Sequence, residues 1–298
     1  MAWQSPRDIK RRIKSVSHTQ QITRAMQLVS AAKLRRVQEM VERVRPYTEK
    51  IEAVLTRITA SEKDAGKHPL LAERPVNKVL YCVFTANRGL AGGYNINVAR
   101  LAAEKIGKEQ HEPVLIVVGK KGREYFQKQN QPMAEVLLGL DDDISWPEAK
   151  ELAGKLQDYF LEGRVDEVNI VYTKFAGTLT QYPTVQRLLP LRYEKDGSGT
   201  DDPAADGEFQ KYLVEPSLPA VLDVLVPRYV ETVVYQLLME AKASEHSARM
   251  NAMRNATDNA EEMINELVMT YNRARQASIT KEITEIVGGA EALSGSWS

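Results

Sequence analysis

The chain has 298 residues, 43% hydrophobic and 27% charged, which suits one large or two ordinary soluble domains with a sizeable core. Forty Lys and Arg balance forty Asp and Glu, so the whole-chain charge argues against both a nucleic-acid-coating protein and an acidic solvating one. A single cysteine, Cys82, excludes an intrachain disulfide and a thiolate metal site, and no run of about 18 apolar residues is present to cross a bilayer.

The zero net charge hides a gradient: residues 1–60 carry +8, whereas residues 121–298 carry −11. The start, MAWQSPRDIKRRIK, is basic but lacks the apolar segment and cleavage site of a secretory signal, so a cytoplasmic or peripheral protein is expected. Gly and Pro are absent from Arg7 to Arg45 and again from Arg228 to Val287, stretches of 39 and 60 residues. At about 1.5 Å per residue these predict helices of roughly 58 and 90 Å, lengths that point to a coiled coil.

The first helix begins with Ser5 as N-cap, Pro6 at N1 and Asp8 at N3. Its apolar stripe reads Ile9, Ile13, Val16, Ile22, Met26, Val29, Leu34, Val37, Val41, Val44, and Pro46 is a point for a kink or break before the pattern resumes at Ile51, Val54, Leu55 and Ile58. Next come strand patterns at 78–84, 114–118, 133–137, 167–173 and 182–189, with helical patterns near 95–109, 120–128 and 147–162. This alternation predicts a small α/β sheet. Residues 194–207 (EKDGSGTDDPAADG) read as a surface loop. The last helix has the stripe Val230, Val233, Leu237, Ala241, Ala248, Ala252, Ala256, Met263, Leu267, Tyr271, Ala274 and is expected to end at Gly288-Gly289. Residues 294–298 (SGSWS) look like the beginning of an affinity tag and are left out of fold reasoning.

Both long stripes are rich in small and polar residues and nearly without aromatics, too thin for a globular core. The expected fold is therefore an α/β head domain, a small Rossmann-like sheet, inserted in a long antiparallel coiled coil of the N- and C-terminal helices.

Two Gly-rich segments follow strands, Phe84–Gly93 (FTANRGLAGG) and Val118–Gly122 (VGKKG). Neither matches G-x-G-x-x-G or G-x-x-x-x-G-K-[ST], and both are read as plain strand-to-helix turns. His18, His68, His111 and His246 have no ligand spacing, Asp141-Asp142-Asp143 lacks the alternation of a calcium loop and reads as a solvated acidic turn, and Cys82 reads as a buried core thiol. No independent active site is identified. The basic first helix, with Lys10, Arg11, Arg12, Lys14, Arg24, Lys33, Arg35 and Arg36, leaves three readings: a nucleic-acid contact, a solvated face, or a surface that meets acidic protein. Missing stacking aromatics and the zero net charge count against the first, and the last two stay open. A nucleotide-binding α/β domain with a coiled-coil arm is the competing enzyme reading.

The segments SPRDIKRRIKSVSHTQQITRAMQLVSAAKLRR, FTANRGLAGGYNIN and YNRARQASITKEITEIVGGAEAL together resemble the gamma subunit of F-type ATP synthases, with similarity over essentially residues 3–293. Ala91 stands where many relatives have Cys, and the cysteine-bearing regulatory insertion of the chloroplast form is absent. The resemblance implies a non-catalytic rotor subunit of the central stalk, one copy per complex. It would couple rotation of the membrane ion-translocating ring to conformational change at the catalytic sites. Implied partners are three alpha and three beta subunits, the epsilon subunit and the membrane c-ring, with no nucleic acid and no direct membrane span. No catalytic, cofactor or metal residue is implied on this chain, because ATP or ADP and Mg²⁺ would bind the alpha and beta subunits. The chain would be peripheral, at the cytoplasmic face of the cell membrane. The implied domains are an N-terminal shaft helix at 1–75, the α/β head at 76–208, a C-terminal shaft helix at 209–293 and the tail at 294–298. Catalytic-ring contacts would fall on Arg24, Met26, Arg275, Gln276, Ser278 and Thr280, and rotor-ring contacts on Tyr212, Val214 and Glu215. Arg275 offers a planar, charge-assisted fork to a carboxylate, with Gln276 and Thr280 as neutral donors beside it.

Overall fold

A computed structural model describes residues 5–61, 68–140, 144–191, 215 and 217–295, with side chains for all of these except 59–61 and 291–295. The expected loop at 194–207, the acidic turn at 141–143, Tyr212, Val214 and residues 296–298 lie outside the described residues. The described elements run α1 (Pro6–Ser61), β1 (Lys78–Phe84), α2 (Tyr94–Lys108), β2 (Glu112–Val118), α3 (Lys120–Lys128), β3 (Glu135–Leu137), α4 (Trp146–Leu161), β4 (Glu167–Phe175), β5 (Gln181–Leu189) and α5 (Leu218–Gly295). The chain divides into two compact units, one of Met1–Ser30 with Met250–Ser298 and the other of Ala31–Arg249.

The start of α1 follows its local chemistry. The Asp8 amide donates to Ser5 Oγ at 3.3 Å and the Ser5 hydroxyl to Asp8 Oδ2 at 2.8 Å, as the capping pattern requires. Pro46 neither breaks nor ends α1, which continues to Ser61. The expected stop of α5 at Gly288-Gly289 is also corrected, since the helix continues to Gly295. A glycine ends a helix by entering the left-handed region, and among the described glycines only Gly92, Gly119 and Gly163 have positive φ. In the unit of the chain ends Thr23 of α1 meets Thr257 of α5, and in the Ala31–Arg249 unit Arg228 of α5 donates to Tyr47 of α1.

In the Ala31–Arg249 unit the sheet has the order β3-β2-β1-β4-β5. β1 pairs in parallel with β2 and β4, β2 in parallel with β3, and β5 closes the sheet antiparallel to β4. Alternation sends Val79, Tyr81 and Val83 to one face, where Val98, Ala102 and Ile106 of α2 and Phe126 of α3 pack on them. Six of the seven residues of β1 are buried, the pattern of a central parallel strand covered on both faces. On the other face α5 approaches β4, with the Ser244 hydroxyl donating to Thr173 O at 2.8 Å and Tyr172 hydrogen-bonded to Glu240. α4 starts from a capping box in which Glu148 accepts from the Ser145 amide at 2.7 Å.

Arg74 anchors the segment that enters the sheet. Its guanidinium donates to Phe160 O at 2.7 Å and to Val165 O, pairs with Asp166 at 3.0 Å, and lies 4.3 Å from the centroid of the Phe160 ring. Asp166 in turn accepts from the backbone N–H groups of Asn77 and Lys78 at 2.9 and 3.0 Å. Burial opposes its charge, but these donors and the Arg74 guanidinium hold its carboxyl below the ordinary range.

Candidate functional site

In an open α/β sheet of this order, ligands sit where the strand order reverses, outside the carboxyl ends of the strands on either side, here β1 and β4. Next to that crevice, the space outside the ends of β1 and β2 is filled. Ala241, Lys242 and Glu245 of α5 close against Phe84, Thr85, Val118, Leu140 and Ile144, and the space left is about 10 Å³, no more than one water requires. Ala248 packs on Ala86, Ala91 and Tyr94 beside it. The turn after β2 is equally tight: Gly119 has φ +96°, and a Cβ there would stand 2.2 Å from Thr85 O. Gly122 is held as closely, since a Cβ would meet Thr85 Oγ1 and Val117 Cγ1 at 2.7 Å. Thr85 Oγ1 donates to Val118 O at 2.7 Å and accepts from the Gly122 amide at 2.9 Å. These glycines seat α3 against β1, which accounts for their positions without a phosphate.

The polar chemistry in this region is internal. Glu245, 2% exposed, takes Lys242 Nζ at 3.0 Å and Arg249 Nη2 at 2.8 Å on its two oxygens. Burial disfavours its charge, yet Lys242 and Arg249 keep its carboxyl below the ordinary range. Sequence reasoning missed this cluster. Its signal was the run Ala241 to Arg249, where Ala and Ser at 241, 243, 244, 247 and 248 leave room for close neighbours on a helix that also carries four ionisable groups. The same reasoning passed over Leu90, whose φ of 60° and 64% exposure are unusual for a branched apolar residue.

The remaining histidines do not converge. His68 Nδ1 accepts from the Leu70 amide at 3.2 Å, and His111 pairs with Glu109 at 2.9 Å. Burial lowers the pKa of His68, with Asp223 opposing. Cys82 is fully buried, and burial raises its thiol pKa out of the reactive range. Among the described residues no group of His, Cys, Asp or Glu could hold a metal, and no helix is long and apolar enough to cross a membrane.

In the unit of the chain ends, burial follows a heptad, with Ser17, Met26, Ala252 and Ala256 half-buried beside it. Along α1 the inward positions are Ile9, Ile13, Val16, Gln20, Thr23, Gln27 and Ser30, and along α5 they are Met253, Thr257, Ala260, Ile264, Leu267, Tyr271, Ala274 and Ser278. The Thr23 and Thr257 hydroxyls meet at 2.8 Å within this seam. The sequence stripes are therefore corrected at three places: Ile22 is 48% exposed, Val29 56% and Met263 43%. Polar Gln20, Thr23, Gln27 and Ser30 take seam positions that apolar counting passes over, because the 4-3 spacing from Ile9, Ile13 and Val16 continues through them regardless of polarity. The displaced apolar residues face outward. Among the described residues, ten of the eighteen large hydrophobic residues that are exposed lie in this unit, Leu28, Ile279, Ile283 and Ile286 among them. Such a surface is that of a helix pair with something further to cover it.

The residues expected to make ring contacts divide by exposure. Arg24, Arg275, Gln276 and Thr280 are exposed, Met26 is half-buried, and Ser278 occupies a seam position and donates to Glu282 Oε1 at 3.2 Å. Glu215 is exposed. An open groove of about 740 Å³ runs along the basic start of α1, lined by Arg7, Lys10, Arg11, Ile13, Lys14, Ser17, His18 and Gln21.

Comparison with known proteins bears on both units. Residues 5–293 match the ATP synthase family described simply as ATP synthase. The chain is 49% identical over 287 residues to the ATP synthase gamma chain of Heliobacterium modesticaldum, covering 96% of this chain and 98% of that one. It is 50% identical over 292 residues to the ATP synthase gamma chain of Symbiobacterium thermophilum, with the same coverage. Its fold resembles a chain in the cryo-EM structure of the Euglena gracilis mitochondrial ATP synthase, with a TM-score of 0.68 at 23% identity over 98% of this chain and 96% of that one. A chain of the central stalk and c-ring structure from Tetrahymena thermophila gives a TM-score of 0.60 at 20% identity, over 79% and 99% of the two chains.

Proposed function

The chain belongs to the ATP synthase gamma chain family, and on that premise we propose that it is the rotor shaft of the enzyme's central stalk. It is a non-catalytic subunit that couples rotation of the membrane ion-translocating ring to conformational change at the catalytic sites. The observation that carries this reading is the thin seam of the helix pair, where Gln20, Thr23, Gln27 and Ser30 stand among apolar residues while Leu28, Ile279, Ile283 and Ile286 are exposed, within a chain matched to the family from residue 5 to residue 293. A pair that turns inside a sleeve needs stiffness along its length and shallow contacts around it. Long paired helices supply the first, and scattered exposed Ile, Leu, Val and Met side chains supply the second without one deep greasy stripe.

In this reading three alpha and three beta subunits surround one copy of the chain, nucleotide and Mg²⁺ bind on those subunits, and the epsilon subunit and c-ring meet its other end. The assembly is peripheral, at the cytoplasmic face of the cell membrane. Arg24, Met26, Arg275, Gln276, Ser278 and Thr280 contact the catalytic ring. Arg275, exposed on α5, presents its guanidinium to a carboxylate there. Tyr212, Val214 and Glu215 contact the rotor ring. The basic groove at the start of α1 suits an acidic protein surface, the choice left open by the sequence.

Co-expression with the alpha and beta subunits of the same enzyme tests the proposal. The expected product is a complex of one chain to three alpha-beta pairs, and failure of the chain to join the ring would overturn the reading. In the complete membrane-bound enzyme, Arg275→Ala is expected to lower ATP-driven ion pumping per ATP hydrolysed, and an unchanged ratio would remove Arg275 from the contact set.

A further inference from the structure

The buried cluster on α5 has no role in the coupling described so far. Lys242, Glu245 and Arg249 form a buried ion pair network in which Glu245 is 2% exposed and both partners are under a tenth exposed. A network of this kind adds little net stability over apolar side chains of the same volume, because desolvation offsets most of the attraction. What it supplies is direction. Arg249 extends from Glu245 to the turn after β1, where Nε donates to Gly89 O at 3.4 Å and Nη2 to Arg88 O at 3.5 Å.

A second set of directional bonds holds the same stretch of helix elsewhere. The Ser244 hydroxyl donates to Thr173 O at 2.8 Å, the Ser247 hydroxyl donates to Thr178 O at 2.7 Å, and Gln181 Nε2 donates to Ser247 Oγ at 3.0 Å. At about 100° of helix per residue, positions 242, 245 and 249 lie roughly opposite positions 244 and 247. The helix is thus gripped from the β1 turn on one side and from β4 and the β4–β5 turn on the other. One residue of rotation, or one turn of sliding by about 5.4 Å, would break the bonds of Arg249, Ser244 and Ser247 to the sheet and its turns, while the pairs of Glu245 with Lys242 and Arg249 lie within α5 and would travel with it. The preceding turns bury Val226, Val230, Val234 and Leu237, whose apolar contacts have no such directionality.

We propose that Glu245, with Lys242 and Arg249, is a positioning group that locks the rotation and height of α5 against the sheet, so that torque passes between them without slip. The inference rests on the coupling role proposed above. Glu245 touches no reacting atom and acts by fixing Arg249 against the β1 turn.

The test uses the complete membrane-bound enzyme in sealed vesicles, with membrane potential generated per ATP hydrolysed as the readout for either coupling ion. Glu245→Gln keeps the shape and removes the charge. It is expected to assemble with the full subunit set while the potential per ATP falls by about half or more, because an uncompensated Arg249 loosens the grip. A disulfide between Ala91→Cys and Ala248→Cys, placed across the packed contact of Ala248 with the Ala86–Ala91–Tyr94 cluster, is expected to restore the ratio when oxidised and lose it when reduced. If Glu245→Gln fails to accumulate, Ser244→Ala with Ser247→Ala removes two hydroxyls from the opposite grip and is expected to lower the ratio less. An unchanged ratio in these variants, or a lowered ratio that the formed disulfide does not restore, overturns the lock while leaving the coupling role intact. A wild-type chain that assembles but generates no potential overturns the coupling role itself.

Discussion

The sheet of the Ala31–Arg249 unit and the helix pair of the chain ends hold their shapes by opposite means. β1 buries six of its seven residues, and the face it shares with α2 and α3 is closed by Val98, Ala102, Ile106 and Phe126 without a polar side chain among them. The described part of the helix pair buries only six side chains, Ile9, Thr23, Ser30, Met253, Thr257 and Ala260, and three of those carry hydroxyls. Apolar burial stabilises the first unit on its own account. The second has too little of it for its length, so its order depends on helix propensity, on the seam and on whatever covers its outer surface. The difference matches the tasks: a rigid head can be a self-sufficient domain, whereas a shaft is completed by its sleeve.

The largest effect that separates the two units comes from the sheet. Phe126 is fully buried between α3 and the strands, and Phe126→Ala is expected to cost about 3–5 kcal/mol in urea unfolding of the chain. Ile9→Ala, the corresponding apolar truncation in the helix pair, is expected to cost clearly less, since the pair can close around the smaller side chain. Equal costs would mean that the pair has a core of its own. Gly119→Ala should follow at about 1–3 kcal/mol, because φ +96° and a Cβ 2.2 Å from Thr85 O leave no unstrained arrangement.

Asp166 gives an intermediate effect with a sign in pH. Its folded pKa lies below the ordinary value, so its contribution is fully present at neutral pH and is lost as pH falls through the acid range below that value. Asp166→Asn is expected to cost about 1–2 kcal/mol at neutral pH, with the gap to wild type closing on acidification. A gap that widened in acid would show that the N–H and Arg74 contacts are not what favours its charge.

Much of this contrast was legible in the sequence. Uninterrupted stretches without Gly or Pro predicted the two helices, short apolar runs predicted all five strands, and the capping residues Ser5 and Asp8 do what their types imply. The seam was misread because apolar periodicity assumes that inward means apolar. In this pair Gln20, Thr23, Gln27 and Ser30 go inward and Ile22 and Val29 outward, and only the unbroken 4-3 phase from Ile9 could have revealed it. The filled space over the ends of β1 and β2 was hidden for a different reason. Its filling residues, Ala241, Lys242 and Glu245, lie more than 150 positions from the strand they cover, and nothing local to Phe84 or Thr85 announces a helix from the far end of the chain.

The smallest expected effect bears most directly on the contrast, and it concerns Thr23 and Thr257. Thr23 is bonded to Gln20 O at 3.0 Å, Thr257 to Met253 O at 2.8 Å, and the two hydroxyls meet at 2.8 Å. Two hydroxyls have two hydrogens for these three contacts, so one is always shared or unmade. The local bonds to Gln20 O and Met253 O also compete with the helix for carbonyls that already have backbone partners. Thr23→Val with Thr257→Val keeps the shape at both positions and adds apolar area to the seam. The double variant is therefore expected to unfold within about 0.5 kcal/mol of wild type, on the stable side if it moves at all. Thr23→Val alone should cost little more, because Thr257 keeps its bond to Met253 O. A loss above about 1.5 kcal/mol in the double variant would mean that the polar seam is itself a source of stability, and that the two units differ in chemistry rather than in self-sufficiency.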